Sequence, residues 1–351
     1  MNLRVYYDSR CLAHETGPGH PERPERLIAV RTRIEQADYG RPVQLVSPDP
    51  AGPQELARVH TASYLDELER SSRRTHTVFD PDTPANEHSF HAARLAAGGA
   101  LAAVRSVIRG EAVRPFVAMR PPGHHAEADR AMGFCLLNSV AVAAADAIAA
   151  GLERVAIVDW DVHHGNGTEH IFAARRDVLY VSLHQAPHYP GTGRSTDVGE
   201  GAGAGFTVNV PLPSGSGDAE YRHAFDEVVI PVLEQYRPQL LIVSAGFDVD
   251  ERDPLAGMLL NSRSVSWITA RLLDTARRTA DGRIVHVLEG GYDEAGLADG
   301  VDAVLSVLAG RPAGAPEDSD AAELLPRAAA AVEETGRALA PYRHPGVPAE
   351  E

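Results

Sequence analysis

The chain has 351 residues, 44% of them hydrophobic, enough for one large core, and no internal repeat or long low-complexity tract divides it. Its 33 Lys and Arg stand against 49 Asp and Glu, and the net charge of -16 repels polyphosphate, which excludes direct nucleic-acid binding as a primary role and suits cationic partners. Cys11 and Cys135 cannot build a disulfide framework, and no basic segment leads into an apolar one at the N-terminus, so the reducing cytoplasm is the expected compartment.

In chain order, strands buried on both faces are predicted at Leu3–Tyr7, Pro115–Met119, Val155–Asp159, Val178–Leu183, Leu240–Ser244 and Ile284–Leu288, where short runs are rich in Val, Ile and Leu. Helices are predicted between them over Ser89–Arg109, Asn138–Ala150, Ala219–Gln235 and Ser264–Thr279. The most apolar stretch, Ser139–Ala150, is short and carries Asp146, so it reads as a buried helix and not as a membrane span. Gly310–Asp320 is rich in Pro, Gly, Ala and Asp and reads as a linker or surface loop before an Ala-rich helix at about Ala321–Leu339. Alternating strands and helices make this an α/β chain, a single domain with a central, mainly parallel β-sheet flanked by helices on both faces.

Each predicted strand from Pro115 onward, apart from Val178–Leu183, is followed at once by residues able to hold a metal or move protons. In an open parallel sheet such segments converge at the carboxyl ends of the strands. In Val158-Asp159-Trp160-Asp161-Val162-His163 the extended chain points Asp161 and His163 to the same side, where they can share one metal. An Asp-x-His pair alone is more often a turn or a surface ion pair; its place after a buried strand favours the metal. Asp248, at the end of another apolar strand, supplies a third ligand and leaves a position open for water and substrate. Arg120-Pro121-Pro122-Gly123-His124-His125 brings two imidazoles into the same cleft, with Asp159 and Asn166 as partners, and imidazoles exchange protons near neutral pH. Gly290 and Gly291 permit a tight turn before Tyr292, whose phenol suits a developing oxyanion.

From His20-Pro21-Glu22-Arg23-Pro24-Glu25-Arg26 through these motifs to Gly290-Gly291-Tyr292, the chain resembles the zinc-dependent histone deacetylase superfamily, and its class II branch most closely. Bacterial acetylpolyamine amidohydrolases and acetoin-utilisation proteins belong to the same superfamily. The resemblance implies an arginase-deacetylase fold, a catalytic domain over residues 1–309, and a linker and C-terminal helix over 310–351 on the same domain. It implies zinc on Asp161, His163 and Asp248, with iron(II) suited to the same ligands. His125 becomes the general base, His124 with Asp159 an electrostatic aid, and Tyr292 the oxyanion donor. Asn166 stands where class I members carry an aspartate, so the partner of His125 is neutral and His125 is expected to rest mainly neutral.

The same resemblance matches Phe134 and Tyr189 to the walls of an acyl-lysine tunnel, Gly133 to a backbone carbonyl that receives the substrate amide, and Asp82 to a rim aspartate. It implies a structural potassium ion at Asp159, Asp161, His163, Ser182 and Leu183, and a second monovalent site near Phe172, Arg175 and Val178. Polyamine-specific class II members carry an acidic residue where this chain has Leu255, which favours acyl-lysine in proteins or peptides over acetylated polyamines as substrate. Two other readings compete. Asp248-Val249-Asp250 is like the ligand pair of binuclear-manganese ureohydrolases, although Gly165 occupies the place of a carboxylate that a second metal needs. A non-catalytic acyl-amine binding protein is the other, and a homo-oligomer is compatible with either.

Overall fold

In this computed structural model, residues 2–314 and 324–342 are described. The first half of the chain runs β1 (Leu3–Tyr6), α1 (Pro24–Gln36), β2 (Val43–Val46), α2 (Pro53–Leu56), α3 (Ala62–Ser71), β3 (Thr77–Val78), β4 (Pro84–Ala85), α4 (Ser89–Ile108), β5 (Phe116–Val117) and α5 (Ser139–Ala149). The second half runs β6 (Val155–Asp159), α6 (Asn166–Phe172), β7 (Val178–Gln185), β8 (Thr207–Leu212), α7 (Asp218–Ala224), α8 (Ile230–Tyr236), β9 (Leu240–Ala245), α9 (Ser262–Thr279), β10 (Ile284–Leu288), α10 (Glu294–Leu308) and α11 (Pro326–Leu339).

Eight strands form one sheet in the order β2-β1-β5-β10-β9-β6-β7-β8, and every neighbouring pair is parallel. Their inner members are apolar at nearly every position because α8, α9, α10 and α1 make one helical layer while α4, α5 and α6 make another. The central four, β5, β10, β9 and β6, carry at their carboxyl ends the segments predicted to converge. Register sets Asp159 beside both Ser182 and Ser244, and Leu288 beside Ala245.

All six predicted strands are present, with Pro115–Met119 shortened to Phe116–Val117 and Val178–Leu183 extended to Gln185. The predicted helix Ala219–Gln235 is continuous but passes through one π-helical turn at Phe225–Val229. That turn precedes Pro231, whose ring and missing N–H disfavour regular α geometry over the preceding turn. Pro326 begins the C-terminal helix; residues 315–323, which hold the rest of the predicted linker and the start of the predicted helix, lie outside the described residues. α11 docks on the β8 edge, where Thr335 Oγ1 donates to the Asn209 carbonyl at 2.6 Å. No helix among the described residues is long and apolar enough to cross a membrane. Cys11 and Cys135 are free and buried.

Candidate active site

The segment leaving β6 folds over the sheet edge through its own carboxylates. Asp159 Oδ1 accepts from the Asp161 N–H at 3.1 Å, and Asp161 Oδ1 accepts from the His163 N–H at 2.9 Å, so each acidic side chain shapes the turn that carries the next. His163 Nδ1 then lies 3.1 Å from Asp161 Oδ1 and 3.1 Å from Asp248 Oδ2. One ligand atom from each of these three residues falls within 4.8 Å of the others, and this is the only such group among the described residues. Asp248 is tied to the same turn by the Val162 N–H at 2.9 Å, and Asp161 to the last loop by the Gly290 N–H at 2.8 Å. Only glycine serves at 290, because a Cβ there would collide with the carboxylates of Asp248 and Asp161.

Two fully buried carboxylates facing one imidazole call for a cation. Burial opposes charge on His163, but its hydrogen bonds to Asp161 and Asp248 prevail and push its pKa up to about 10. Asp248 is pushed up to about 7 by burial and by the neighbouring Asp161 charge. The donor set, one imidazole and two carboxylates, fits a divalent metal. A metal must displace the proton on His163 and, below neutrality, that on Asp248. Apparent affinity therefore rises about tenfold per pH unit between about pH 7 and 9, and more steeply below 7. Titration of chelator-stripped protein with zinc across this range checks the slope; a flat profile contradicts the ligand assignment.

The loop after β5 brings in both predicted histidines. His124 Nδ1 is 3.0 Å from Asp159 Oδ2, and its Nε2 is 3.7 Å from Asp161 Oδ1. Burial works against its charge, yet Asp161 and Asp159 together push its pKa up to about 10. His125 goes the other way: burial, then the neighbouring charges of His124 and His163, hold it well below the usual imidazole range. Its Nδ1 meets Asn166 Oδ1 at 2.8 Å, the neutral pairing expected. The two rings lie 4.1 Å apart, and that of His163 is 5.9 Å from His125.

Tyr292 is held by residues of the His20–Arg26 motif. Buried Arg26 donates from Nε to the Gly291 carbonyl at 2.7 Å and from Nη2 to the Glu289 carbonyl at 2.6 Å, and its guanidinium lies 4.8 Å over the Tyr292 ring. Glu22, also buried, anchors that arginine at 3.1 Å and Arg120 at 2.6 Å. Asp253 accepts from the Tyr292 N–H at 2.6 Å and from the Leu255 N–H at 2.9 Å, which ties the Leu255 backbone to the Tyr292 loop. Burial raises the Tyr292 pKa well above the ordinary phenol value, so its hydroxyl stays a donor.

Phe134 packs edge-on against Tyr292 at 5.6 Å, and Tyr189 edge-on against His125 at 5.1 Å. Gly133 and Phe134 both have positive φ, 55° and 68°, and a Cβ at 133 would sit 2.5 Å from His125 Cδ2. Gly133→Ala is therefore expected to lower kcat/KM about 10-fold or more by displacing His125; unchanged kinetics in the folded variant count against this packing. Asp82, the residue predicted for the rim, is pushed up to about 6 by burial and by Asp80, while the adjacent Thr83 Oγ1 accepts from the Phe134 N–H at 3.0 Å. Around the predicted potassium positions, Asp159 pairs with Ser182 across β6 and β7, Leu183 follows in β7, and the Arg175 N–H donates to the Phe172 carbonyl at 2.8 Å just before Val178.

Three residues that the sequence reading passed over also enter the site. Glu127 lies behind Asn166, Asp253 joins the Tyr292 and Leu255 backbones, and the His188 ring stacks on His163 at 4.9 Å. Asp250, the candidate second carboxylate of a binuclear site, is instead engaged by Arg252 at 2.8 Å.

The histone deacetylase domain matches residues 20–308. The chain is 42% identical over 309 residues to a histone deacetylase-like amidohydrolase of Pseudomonas aeruginosa, covering 83% of this chain and 81% of that protein. It is 38% identical over 298 residues to a probable deacetylase of Archaeoglobus fulgidus, covering 84% and 83%. The crystal structure of the HDA15 HD domain superposes with a TM-score of 0.89 at 38% identity, over 97% of this chain and 95% of that one. With its parallel eight-stranded sheet and this likeness, the chain has the arginase-deacetylase fold, belongs to the histone deacetylase family and is a hydrolytic enzyme of the amidohydrolase type.

Proposed function

We propose that the enzyme is a zinc-dependent deacylase acting on acetyl-lysine, or a similar acyl-lysine, in proteins or peptides. One juxtaposition carries the reading: His125, which burial keeps neutral, has its ring 5.9 Å from that of His163 in the Asp161, His163 and Asp248 group, with Tyr189 packed edge-on against it and Phe134 edge-on against Tyr292, which burial keeps protonated. Zinc, or iron(II) on the same ligands, supplies Lewis-acid polarisation of the amide carbonyl and a more acidic water when bound. His125 takes the proton of the attacking water at Nε2 and returns it to the leaving amine. His124, charged beside Asp159, offsets negative charge as it develops, and the Tyr292 hydroxyl donates to the tetrahedral oxyanion.

Gly133 offers its carbonyl to the substrate amide, and Asp82 accepts from the peptide backbone at the rim. Leu255 supports acyl-lysine over an acetylated polyamine, because an apolar residue there gives a distal ammonium no partner. Asp159, Asp161, His163, Ser182 and Leu183 would hold a potassium ion that stiffens the turn after β6, and Phe172, Arg175 and Val178, between α6 and β7, would hold a second. Docking of α11 on β8 supports an extension of the same domain over the described part of 310–351, and the free cysteines suit a reducing cytoplasm. The test compares kcat/KM for an acetyl-lysine peptide with that for acetylated putrescine or spermidine. Preference for the peptide is expected; preference for the polyamine overturns the argument from Leu255.

A further inference from the structure

An asparagine is an ambiguous partner for a histidine. Its carbonyl toward the ring demands a proton on the ring nitrogen, whereas its NH2 toward the ring demands a lone pair there. Here the ambiguity is removed from behind. Asn166 Nδ2 donates to Glu127 Oε1 at 2.6 Å, and a carboxylate can only accept, so Oδ1 must face His125 Nδ1. Glu127 is itself fixed: it is 5% exposed, its N–H donates to the Arg130 carbonyl at 3.0 Å, and its own carbonyl meets His60 Nδ1 at 2.9 Å. His170, one turn beyond Asn166 on the same face of α6, reaches the same Oε1 at 2.8 Å, and Arg130 lies 3.5 Å away.

We propose that Glu127 is a positioning residue for hydrolysis: through the Asn166 amide it keeps the His125 proton on Nδ1, so that Nε2 presents a lone pair to the attacking water. It also places a negative charge one residue behind a neutral partner, where a direct carboxylate would otherwise stand. The proposal rests on the reading of His125 as the base.

The test uses zinc-loaded full chain and two readouts, steady-state turnover of an acetyl-lysine peptide and the 15N spectrum of labelled histidine rings, with the His125 signals identified by their loss in His125→Ala. Glu127→Leu is expected to lower kcat about 10- to 100-fold with KM nearly unchanged, and to shift His125 toward the Nε2–H tautomer. Glu127→Gln, which can turn either way, loses about 10-fold. Glu127→Gln combined with Asn166→Asp restores kcat to within about threefold, because the carboxylate now accepts Nδ1–H directly and the amide stands behind it. This last pair is nearly isosteric and decides the matter should Glu127→Leu fail to fold. Unchanged kcat in folded Glu127→Leu, an unchanged His125 tautomer, or a double variant no better than Glu127→Gln overturns the proposal. If the parent enzyme turns over no acyl-lysine, the deacylase reading fails instead, while the ring-nitrogen spectrum still decides the tautomer.

Discussion

Replacing His125 by alanine is expected to lower kcat about 10²- to 10⁴-fold, the usual worth of a positioned general base. The effect should appear in kcat more than in KM, since the lost proton transfer belongs to the transition state. The physical basis is the contrast between two adjacent imidazoles. His124 is charged because Asp161 and Asp159 outweigh its burial, whereas His125 is buried against a neutral amide, the charged His124 and the positive charge held at the His163 position, and stays neutral. His124→Ala, by the same argument, costs less, because it removes a charge near the reaction and not the proton acceptor. If His124→Ala proved the more damaging of the two in kcat, the assignment of roles would be reversed. Metal content should be unchanged in His125→Ala, which separates lost chemistry from a lost metal.

Asp248→Ala is expected to reduce turnover about 10³-fold or more, the equivalent of roughly 4 kcal/mol of charge stabilisation, by removing one of three ligands. Metal at a hundred times its Kd should stabilise the parent protein by about 2.7 kcal/mol and the variant hardly at all. The sign in the metal-free protein is opposite. The Asp248 pKa is raised to about 7, so its burden is absent at acid pH, grows as pH rises from its unfolded value, and is complete above about 7. Metal-free Asp248→Ala should therefore lose less stability than the parent between acid and mildly alkaline pH. Thermal melts with and without metal at two pH values read both effects; a metal-induced rise in Tm that survives in the variant removes Asp248 from the ligand set.

Much of the fold was legible because the inner strands are apolar on both faces, as at Val155–Asp159 and Leu240–Ala245. The edges were not. β2 is only partly buried, and β8 carries Asn209 and Pro211, a composition that reads as loop until one sees that it lies at the margin of the sheet. α1 was missed because its buried stripe of Leu27, Val30 and Ile34 includes Arg26, and besides Glu22 the partners that let that arginine be buried, the Glu289 and Gly291 carbonyls, come from the far end of the chain.

The candidate ligands, both histidines and Tyr292 were legible for a different reason: each follows a buried strand directly, so topology had to bring them together. Residues acting through others left weaker signals. Glu127, only two positions after His125, could have been flagged as a charge in a loop otherwise held inside. Asp253 and His188 had no such marker, because their roles come from the tertiary approach of the loops after β9 and β7 to the metal ligands.

The most direct test of the account is to strip the protein with chelator, restore zinc in steps, and follow bound metal and acetyl-lysine peptide turnover in the same samples. The account predicts one catalytic metal per chain and activity proportional to its occupancy. Full occupancy without turnover, activity in fully stripped protein, or activity only after a second metal binds would contradict it.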